Sequence, residues 1–91
     1  MRRAARVDAN QIEVVAALRA IGATVQHLHS VGGGCPDLLV GFRGRNVLLE
    51  VKMPKKTLNS LEQQWFDGWR GQAHVVRSID EALQSVQARY K

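Results

Sequence analysis

The chain has 91 residues, of which 45% are hydrophobic and 23% are charged, a composition typical of one globular domain spanning residues 1–91. Its formal net charge of +5 favours a polyanionic partner such as nucleic acid, although a basic surface kept for solubility has the same charge. No apolar run approaches the roughly 20 residues needed to cross a bilayer, so a membrane-embedded protein is excluded.

The N-terminal segment and the cysteine content bear on where the protein works. Residues 1–6 are basic, but no apolar segment follows them, so we expect no signal or transit peptide. Cys35 is the only cysteine in the sequence, which fits a reducing compartment. We therefore expect a cytoplasmic protein.

The first predicted element is a helix over residues 8–21. Apolar residues recur at helical spacing from Val14 to Ile21. Asn10 and Glu13 have the spacing of a capping box. Glu13 is therefore predicted either to cap this helix or to lean toward the sheet.

A weak strand and a glycine run follow. Residues 23–30 alternate as a strand, with His27 and His29 on one face. Two histidines at this spacing can ligate a metal ion, but no third nitrogen or sulfur ligand lies nearby in the sequence, so we interpret them as a polar strand face. The glycines at residues 32–34 permit positive φ and the close approach of another backbone.

The next stretch reads as two strands, residues 38–42 and 47–52, joined by a polar turn at residues 43–46. Both strands are continuously apolar, so we expect helices or a partner to cover both faces of the sheet. Arg43 and Arg45 in the turn are predicted either to contact phosphate or simply to keep the hairpin soluble.

Charged residues lie at the ends of these strands. Strand side chains alternate between faces, so Glu50 and Lys52 point to the same side of the sheet while Val51 points into the core. If the strands pair as a hairpin, Asp37 comes within reach of Glu50. Two carboxylates and a lysine would then share one pocket, with Lys55 and Lys56 beside it to contact phosphate.

Oxygen ligands of this kind suit a hard divalent cation. Mg²⁺ is usually held by one or two carboxylates together with a substrate phosphate, so Asp37, Glu50 and the backbone carbonyl of Val51 are candidate ligands. Lys52 would position or deprotonate a water molecule and stabilise charge in the transition state. The alternative is that these residues form only a surface charge pattern and a turn.

The rest of the chain predicts a helix, a strand over residues 73–77 and a final helix opened by a capping box at residues 78–81. In the first of these helices Leu61, Trp65 and Trp69 recur every four residues. We interpret the tryptophans as core or interface residues rather than as base-stacking groups. The predicted order is αβββαβα, an α/β fold with a mixed four-stranded sheet flanked by helices.

Pro36-Asp37 followed by Glu50-Val51-Lys52 resembles the PD-(D/E)xK nuclease signature, and the small size and glycine-rich approach are most similar to the VRR-NUC family of phage and bacterial proteins. The resemblance extends from Glu13 to about Leu83. It implies a restriction-endonuclease-like core and a DNA endonuclease that depends on Mg²⁺ or Mn²⁺.

The resemblance also implies a set of site residues. A glutamine of the helix after Lys52 joins the site, for which Gln63 is the nearest match and Glu62 an adjacent candidate, and each also has the spacing of a helix cap. The implied active site comprises Glu13, Asp37, Glu50, Lys52 and Gln63, and the implied metal ligands are Asp37, Glu50 and Val51, with Glu13 as a further candidate.

Similarity to stand-alone family members implies a homodimer that cuts four-way junctions or other branched DNA in a bacterial or phage-infected cell. Two other functions remain open on the sequence. A non-catalytic nucleic-acid-binding module of the same fold would bind DNA in a salt-sensitive manner that is indifferent to metal. A protein-interaction subunit would use Trp65 and Trp69 as a contact and have no affinity for DNA at moderate salt.

Overall fold

The computed structural model describes residues 9–87 and contains three helices and four strands in the predicted order. The strands form one mixed sheet in the order β1-β2-β3-β4, in which β4 runs parallel to β3 and the other pairs are antiparallel. The predicted helix start at Asp8 lies outside the described residues. The elements are α1 (Ala9–Ala20), β1 (Thr24–His27), β2 (Leu38–Phe42), β3 (Arg45–Val51), α2 (Ser60–Gly68), β4 (Ala73–Val76) and α3 (Ile79–Gln87).

One face of the sheet carries the hydrophobic core, against which α1 and α3 pack. Because strand side chains alternate, this face buries Leu38 and Val40 of β2 and Val47, Leu49 and Val51 of β3. Val51 is 5% exposed, as predicted for a residue that points into the core. None of the helices within residues 9–87 is long and apolar enough to span a membrane. The largest buried side chains are Val14, Leu18, Leu38, Val40, Val47, Leu49, Val76 and Val86.

Within residues 9–87 the opposite face is only partly covered by helix, whereas the sequence predicted that helices or a partner cover both faces. Leu39 pairs with Leu48 on this face and is 36% exposed. The nine residues of α2 include no buried residue. The short α2 begins close to the end of β3 and is too short to cover the rest of the sheet.

The turn between β2 and β3 is shorter than predicted. It consists of Arg43 and Gly44, whose φ angles of 52° and 79° are those of a two-residue hairpin turn that matches the twist of the strands. Arg45 therefore lies in β3 and not in the turn. Its guanidinium donates a hydrogen bond to the carbonyl of Val86 in α3, which ties it to the core side of the molecule.

The predicted capping box of α1 does not form, because Asn10 lies inside the helix. Its side-chain amide instead donates hydrogen bonds to the carbonyls of Lys52, at 2.9 Å, and Arg77, at 3.4 Å. These bonds join α1 to the ends of β3 and β4. They fix the helix beside the strand ends at which the predicted site residues lie.

Candidate functional site

Asp37 and Glu50 meet at the end of the hairpin, as predicted. Leu38 pairs with Leu49 in the antiparallel hairpin. Asp37, which precedes Leu38, therefore lies opposite Glu50, which follows Leu49. The carboxylate of Asp37 accepts a hydrogen bond from the backbone N–H of Val51, with 2.9 Å between Val51 N and Asp37 Oδ2. This bond orients one carboxylate against the strand that carries the other.

Lys52 joins the site through two ion pairs. Its Nζ lies 3.5 Å from Oε2 of Glu50 and 2.8 Å from Oε1 of Glu62. The first contact confirms that Glu50 and Lys52 share a side of the sheet. The second comes from α2, where a capping box orients Glu62: Asn59 Oδ1 accepts from the Glu62 N–H, and Glu62 Oε1 accepts from the Asn59 N–H.

Glu50 is only 4% exposed, and its surroundings disfavour its charged form. Burial, followed by the negative charges of Asp37 and Glu62, raises the pKa of Glu50 to about 8, although Lys52 acts in the opposite direction. The folded site therefore disfavours the ionised form of Glu50, even though Lys52 lies 3.5 Å away. A cation beside Glu50 would favour the ionised carboxylate.

Lys52 keeps its positive charge in this setting. Burial alone would lower the pKa of Lys52, but its hydrogen bond and charge interaction with Glu62, reinforced by Glu50, raise it above the ordinary value. The ammonium group is thus suited to stabilise negative charge rather than to accept a proton. Burial, together with the charges of Glu50 and Asp37, raises the pKa of the Cys35 thiol, which disfavours its thiolate form.

The side chains of Asp37, Glu50, Lys52 and Glu62 line an open cleft of about 360 Å³. Two predicted members of the site are not part of it. Glu13 is exposed on α1, and Gln63 is exposed on α2, where it donates a hydrogen bond to Asp67. Gln11 of α1 and Glu62 of α2 face the cleft instead. The lining residues are Gln11, Asp37, Glu50, Val51, Lys52, Met53, Lys56, Thr57 and Glu62.

The sequence contains a signal for Gln11 that our prediction missed. Gln11, Val14, Val15 and Leu18 have the spacing i, i+3, i+4, i+7 and are the buried residues of α1. A polar residue on an otherwise apolar stripe is a candidate for a role inside the fold. Glu13 does not lie on that stripe.

The basic residues that were predicted to contact phosphate fall into two groups. Lys56 lines the cleft, and its carbonyl accepts two hydrogen bonds from the guanidinium of Arg77, which fix the loop after β3. Lys55 is exposed beside it. Arg43 and Arg45 lie at the other end of the hairpin. Arg45 precedes Glu50 by five strand residues, roughly 17 Å at about 3.3 Å per residue, and Arg43 lies in the turn beyond Arg45.

The donors of the cleft are carboxylate and amide oxygens and a backbone carbonyl, the ligands that Mg²⁺ and Mn²⁺ prefer. Among residues 9–87, no three His, Cys, Asp or Glu side chains are arranged to hold an ion by themselves. Mg²⁺ seldom needs such a cage, because water and substrate phosphate complete its coordination. His27 and His29, with ring centroids 5.6 Å apart, are exposed outside the cleft.

The glycine run supports the cleft by allowing α2 to pack closely. A Cβ on Gly34 would lie 2.5 Å from the carbonyl oxygen of Leu61 in the first turn of α2. Gly32 has nearly the same φ, +81° against +82° for Gly34, but nothing lies within 4 Å of its Cβ position. A comparison of alanine substitutions at these two positions therefore distinguishes the cost of backbone strain from the cost of a collision with α2.

We expect Gly32→Ala to lower the free energy of unfolding by about 1–2 kcal/mol, the cost of a left-handed alanine. Gly34→Ala should cost about 1–3 kcal/mol more, because α2 must shift. Urea unfolding of both variants measures the difference. Equal losses would show that the contact between Gly34 and α2 does not contribute to stability.

Comparison with known protein families finds no match, and comparison with curated proteins finds none either. Among solved structures, a chain described as a VRR_NUC domain superposes with a TM-score of 0.71 and 24% sequence identity. The match covers 88% of this chain and 92% of that chain. The protein therefore has the fold of a VRR_NUC domain, as the resemblance in its sequence predicted.

Proposed function

We propose that this protein is a member of the VRR-NUC family and a metal-dependent endonuclease that hydrolyses phosphodiester bonds in DNA. The observation that carries the proposal is the convergence of Asp37, Glu50 and Lys52 in one cleft of a chain with this fold. A buried carboxyl group whose pKa is raised by burial and by neighbouring charges is typical of a functional site. This arrangement favours a nuclease over a protein-interaction subunit, for which the sequence proposed a contact through Trp65 and Trp69.

The cleft suits Mg²⁺ or Mn²⁺, which Asp37, Glu50 and the backbone carbonyl of Val51 would hold. When bound, the ion would lower the pKa of a coordinated water and polarise a phosphoryl oxygen. The chain itself supplies the fixed charge: Lys52, held between Glu50 and Glu62, directs its ammonium into the cleft, where negative charge develops in phosphodiester hydrolysis. Lys56 at the same cleft would contact phosphate of the bound strand.

We further propose that the protein acts as a homodimer on branched DNA such as four-way junctions. One subunit with one cleft makes one cut, whereas the resolution of a junction requires two opposed cuts. The expected place of action is the cytoplasm of a bacterium or of a phage-infected cell. The mass in solution, measured by light scattering, tests the dimer directly.

The test of the proposed function is incubation with labelled duplex, flap and four-way DNA, with Mg²⁺, with Mn²⁺ and with EDTA. We expect cleavage with either metal, preference for branched DNA and no cleavage with EDTA. Asp37→Asn should abolish cleavage, because it removes a ligand without changing the size of the side chain. If no DNA is cut with either metal, or if Asp37→Asn cuts as well as the wild type, the proposal is wrong.

A further inference from the structure

Helix α2 carries an aromatic stack on the same face as Glu62. Glu62, Trp65, Phe66 and Trp69 have the spacing i, i+3, i+4, i+7, which places them along one side of the helix. The rings of Trp65 and Trp69 are stacked, with centroids 4.5 Å apart and planes inclined by 17°. Because Glu62 binds Lys52, the stack begins at the cleft and leads away from it.

The stack becomes more exposed with distance from the cleft. Trp65 is half-buried and meets Phe66 edge-on, with ring centroids 5.3 Å apart. Trp69, which caps the C-terminal end of α2, is 46% exposed. Its ring rests on Trp65, and Gly71 lies beside the indole nitrogen, where a Cβ would come within 3.0 Å of Nε1. The sequence predicted that these tryptophans belong to a core or interface, but within residues 9–87 nothing covers Trp69 fully.

We propose that Trp69 stacks on an unpaired base of the DNA strand that occupies the cleft, so that the protein selects DNA with an unstacked base near the cleaved phosphate. The inference rests on the proposed function for the identity of the strand. In a continuous duplex both faces of each base are covered by neighbouring bases. A flap, gap or branch point exposes a base face that an indole can cover.

The distance along α2 fits this role. Trp69 follows Glu62 by seven residues, which corresponds to about 10 Å of helix at 1.5 Å per residue. This is roughly three base steps of 3.4 Å each. Trp69 would therefore contact a base a few nucleotides from the phosphate that is bound in the cleft.

The surrounding charges favour nucleic acid over a second copy of the chain. Exposed cations lie on both sides of the stack, at Lys55 and Lys56 before α2 and at Arg70 directly after Trp69. In a symmetric contact between two copies these like charges would be brought together, whereas a strand places phosphates beside them. Helix α2 has two acidic residues, and both have partners within the chain. Glu62 forms an ion pair with Lys52, and Asp67 accepts a hydrogen bond from Gln63.

The experiment compares binding of a flapped duplex and of the matched fully paired duplex, by fluorescence anisotropy in EDTA so that no strand is cut. We expect Trp69→Ala to weaken binding of the flap roughly 5- to 100-fold, the range for loss of one stacked base. Binding of the paired duplex should change less than about twofold. Trp69→Phe should retain most of the affinity for the flap, and Trp69→Leu should not, because only phenylalanine keeps a flat ring.

Leu61→Ala is the matched control. Leu61 is 52% exposed on the same helix but lies outside the aromatic stack, so its removal should change binding of either DNA less than about twofold.

A second readout needs no label on the DNA. The sequence has two tryptophans, both in the stack, so the flap should quench intrinsic tryptophan fluorescence more than the paired duplex does.

Equal effects of Trp69→Ala on both DNAs, or no effect on either, would overturn the inference. So would a fall in mass from two copies to one in Trp69→Ala, since the ring would then be an interface between copies. These results are distinct from failure of the proposed function. If the wild type prefers the flap through Trp69 but cuts no DNA with Mg²⁺ or Mn²⁺, the nuclease assignment fails and the stacking role stands.

Discussion

Replacement of Glu50 by glutamine is expected to make the folded protein more stable above neutral pH while it abolishes DNA cleavage. Glu50 is 4% exposed, and burial, together with the charges of Asp37 and Glu62, raises its pKa to about 8. Glutamine resembles the protonated carboxyl group in shape but never ionises. The variant therefore keeps the packing, lacks the unfavourable charge and loses a carboxylate that we propose as a metal ligand.

The sign of the pH dependence follows from the direction of this shift. The unfolded chain releases the proton of Glu50 near the ordinary pKa of 4.5, whereas the folded chain retains it up to about pH 8. The folded state therefore binds more protons between these values, and the stability of the wild type falls as the pH rises through this window. The penalty is absent well below pH 4.5 and complete above pH 8.

We expect the free energy of unfolding of Glu50→Gln to exceed that of the wild type at pH 8.5 by up to about 5 kcal/mol, given a shift from 4.5 to about 8 and about 1.4 kcal/mol per pKa unit. Thermal unfolding at pH 8.5 and pH 5 measures the effect, and the two proteins should converge at the lower pH. Mg²⁺ should raise the Tm of the wild type at pH 8.5 more than that of the variant, because it binds the folded carboxylate.

Glu13→Gln serves as the control for this experiment. It changes the net charge by the same amount but from an exposed position on α1, so its effect on stability should stay within about 0.5 kcal/mol. A Glu50→Gln protein that is less stable than the wild type at pH 8.5 would contradict the argument. It would mean that the ion pair of Glu50 with Lys52 outweighs the cost of burying the carboxylate.

The strand residues of the site were predictable because a strand fixes the direction of its side chains. The sequence predicted a turn of four residues, which would place Asp37 opposite Lys52; the observed two-residue turn places it opposite Glu50. A change of register by two residues leaves every side chain on its original face. Asp37, Glu50 and Lys52 therefore meet in spite of the error in turn length.

The helical residues of the site were not predictable in the same way. Each helical residue turns about 100° from the one before it, so an error of one or two positions moves a side chain to another face. The sequence favoured Glu13 and Gln63, whereas Gln11 and Glu62 face the cleft. The face that α1 presents was readable from its apolar stripe, but the face of α2 depends on its contact with Lys52, which only the folded chain reveals.

The position of Arg45 was missed for a related reason. A two-residue turn of this type needs positive φ at both of its positions, and arginine at the first of them is an uncommon choice. The sequence alone therefore favoured a longer loop that included Arg45. In the structure Arg45 belongs to β3 and binds α3, far from the cleft.

Loss of the Lys52 ammonium is expected to slow cleavage by at least 100- to 1,000-fold, the usual cost of removing one group that stabilises transition-state charge. Lys52 is the cation that contacts both Glu50 and Glu62, at 3.5 and 2.8 Å. In Lys52→Ala these carboxylates lose their shared partner, and the cleft loses the charge that we propose to stabilise the reacting phosphate. The rate should be measured in a single turnover at saturating protein, so that binding does not limit it.

Lys56→Ala provides the contrast, because it removes the same charge from the same cleft. Lys56 forms no ion pair with Glu50 or Glu62 within the described residues, and we assign it a contact with substrate phosphate. Its loss should weaken DNA binding and reduce the salt dependence of binding by about one counterion. If Lys52→Ala instead weakened binding and spared the saturated rate, Lys52 would be a phosphate contact like Lys56. The cleft would then lack the cation that the proposed chemistry requires.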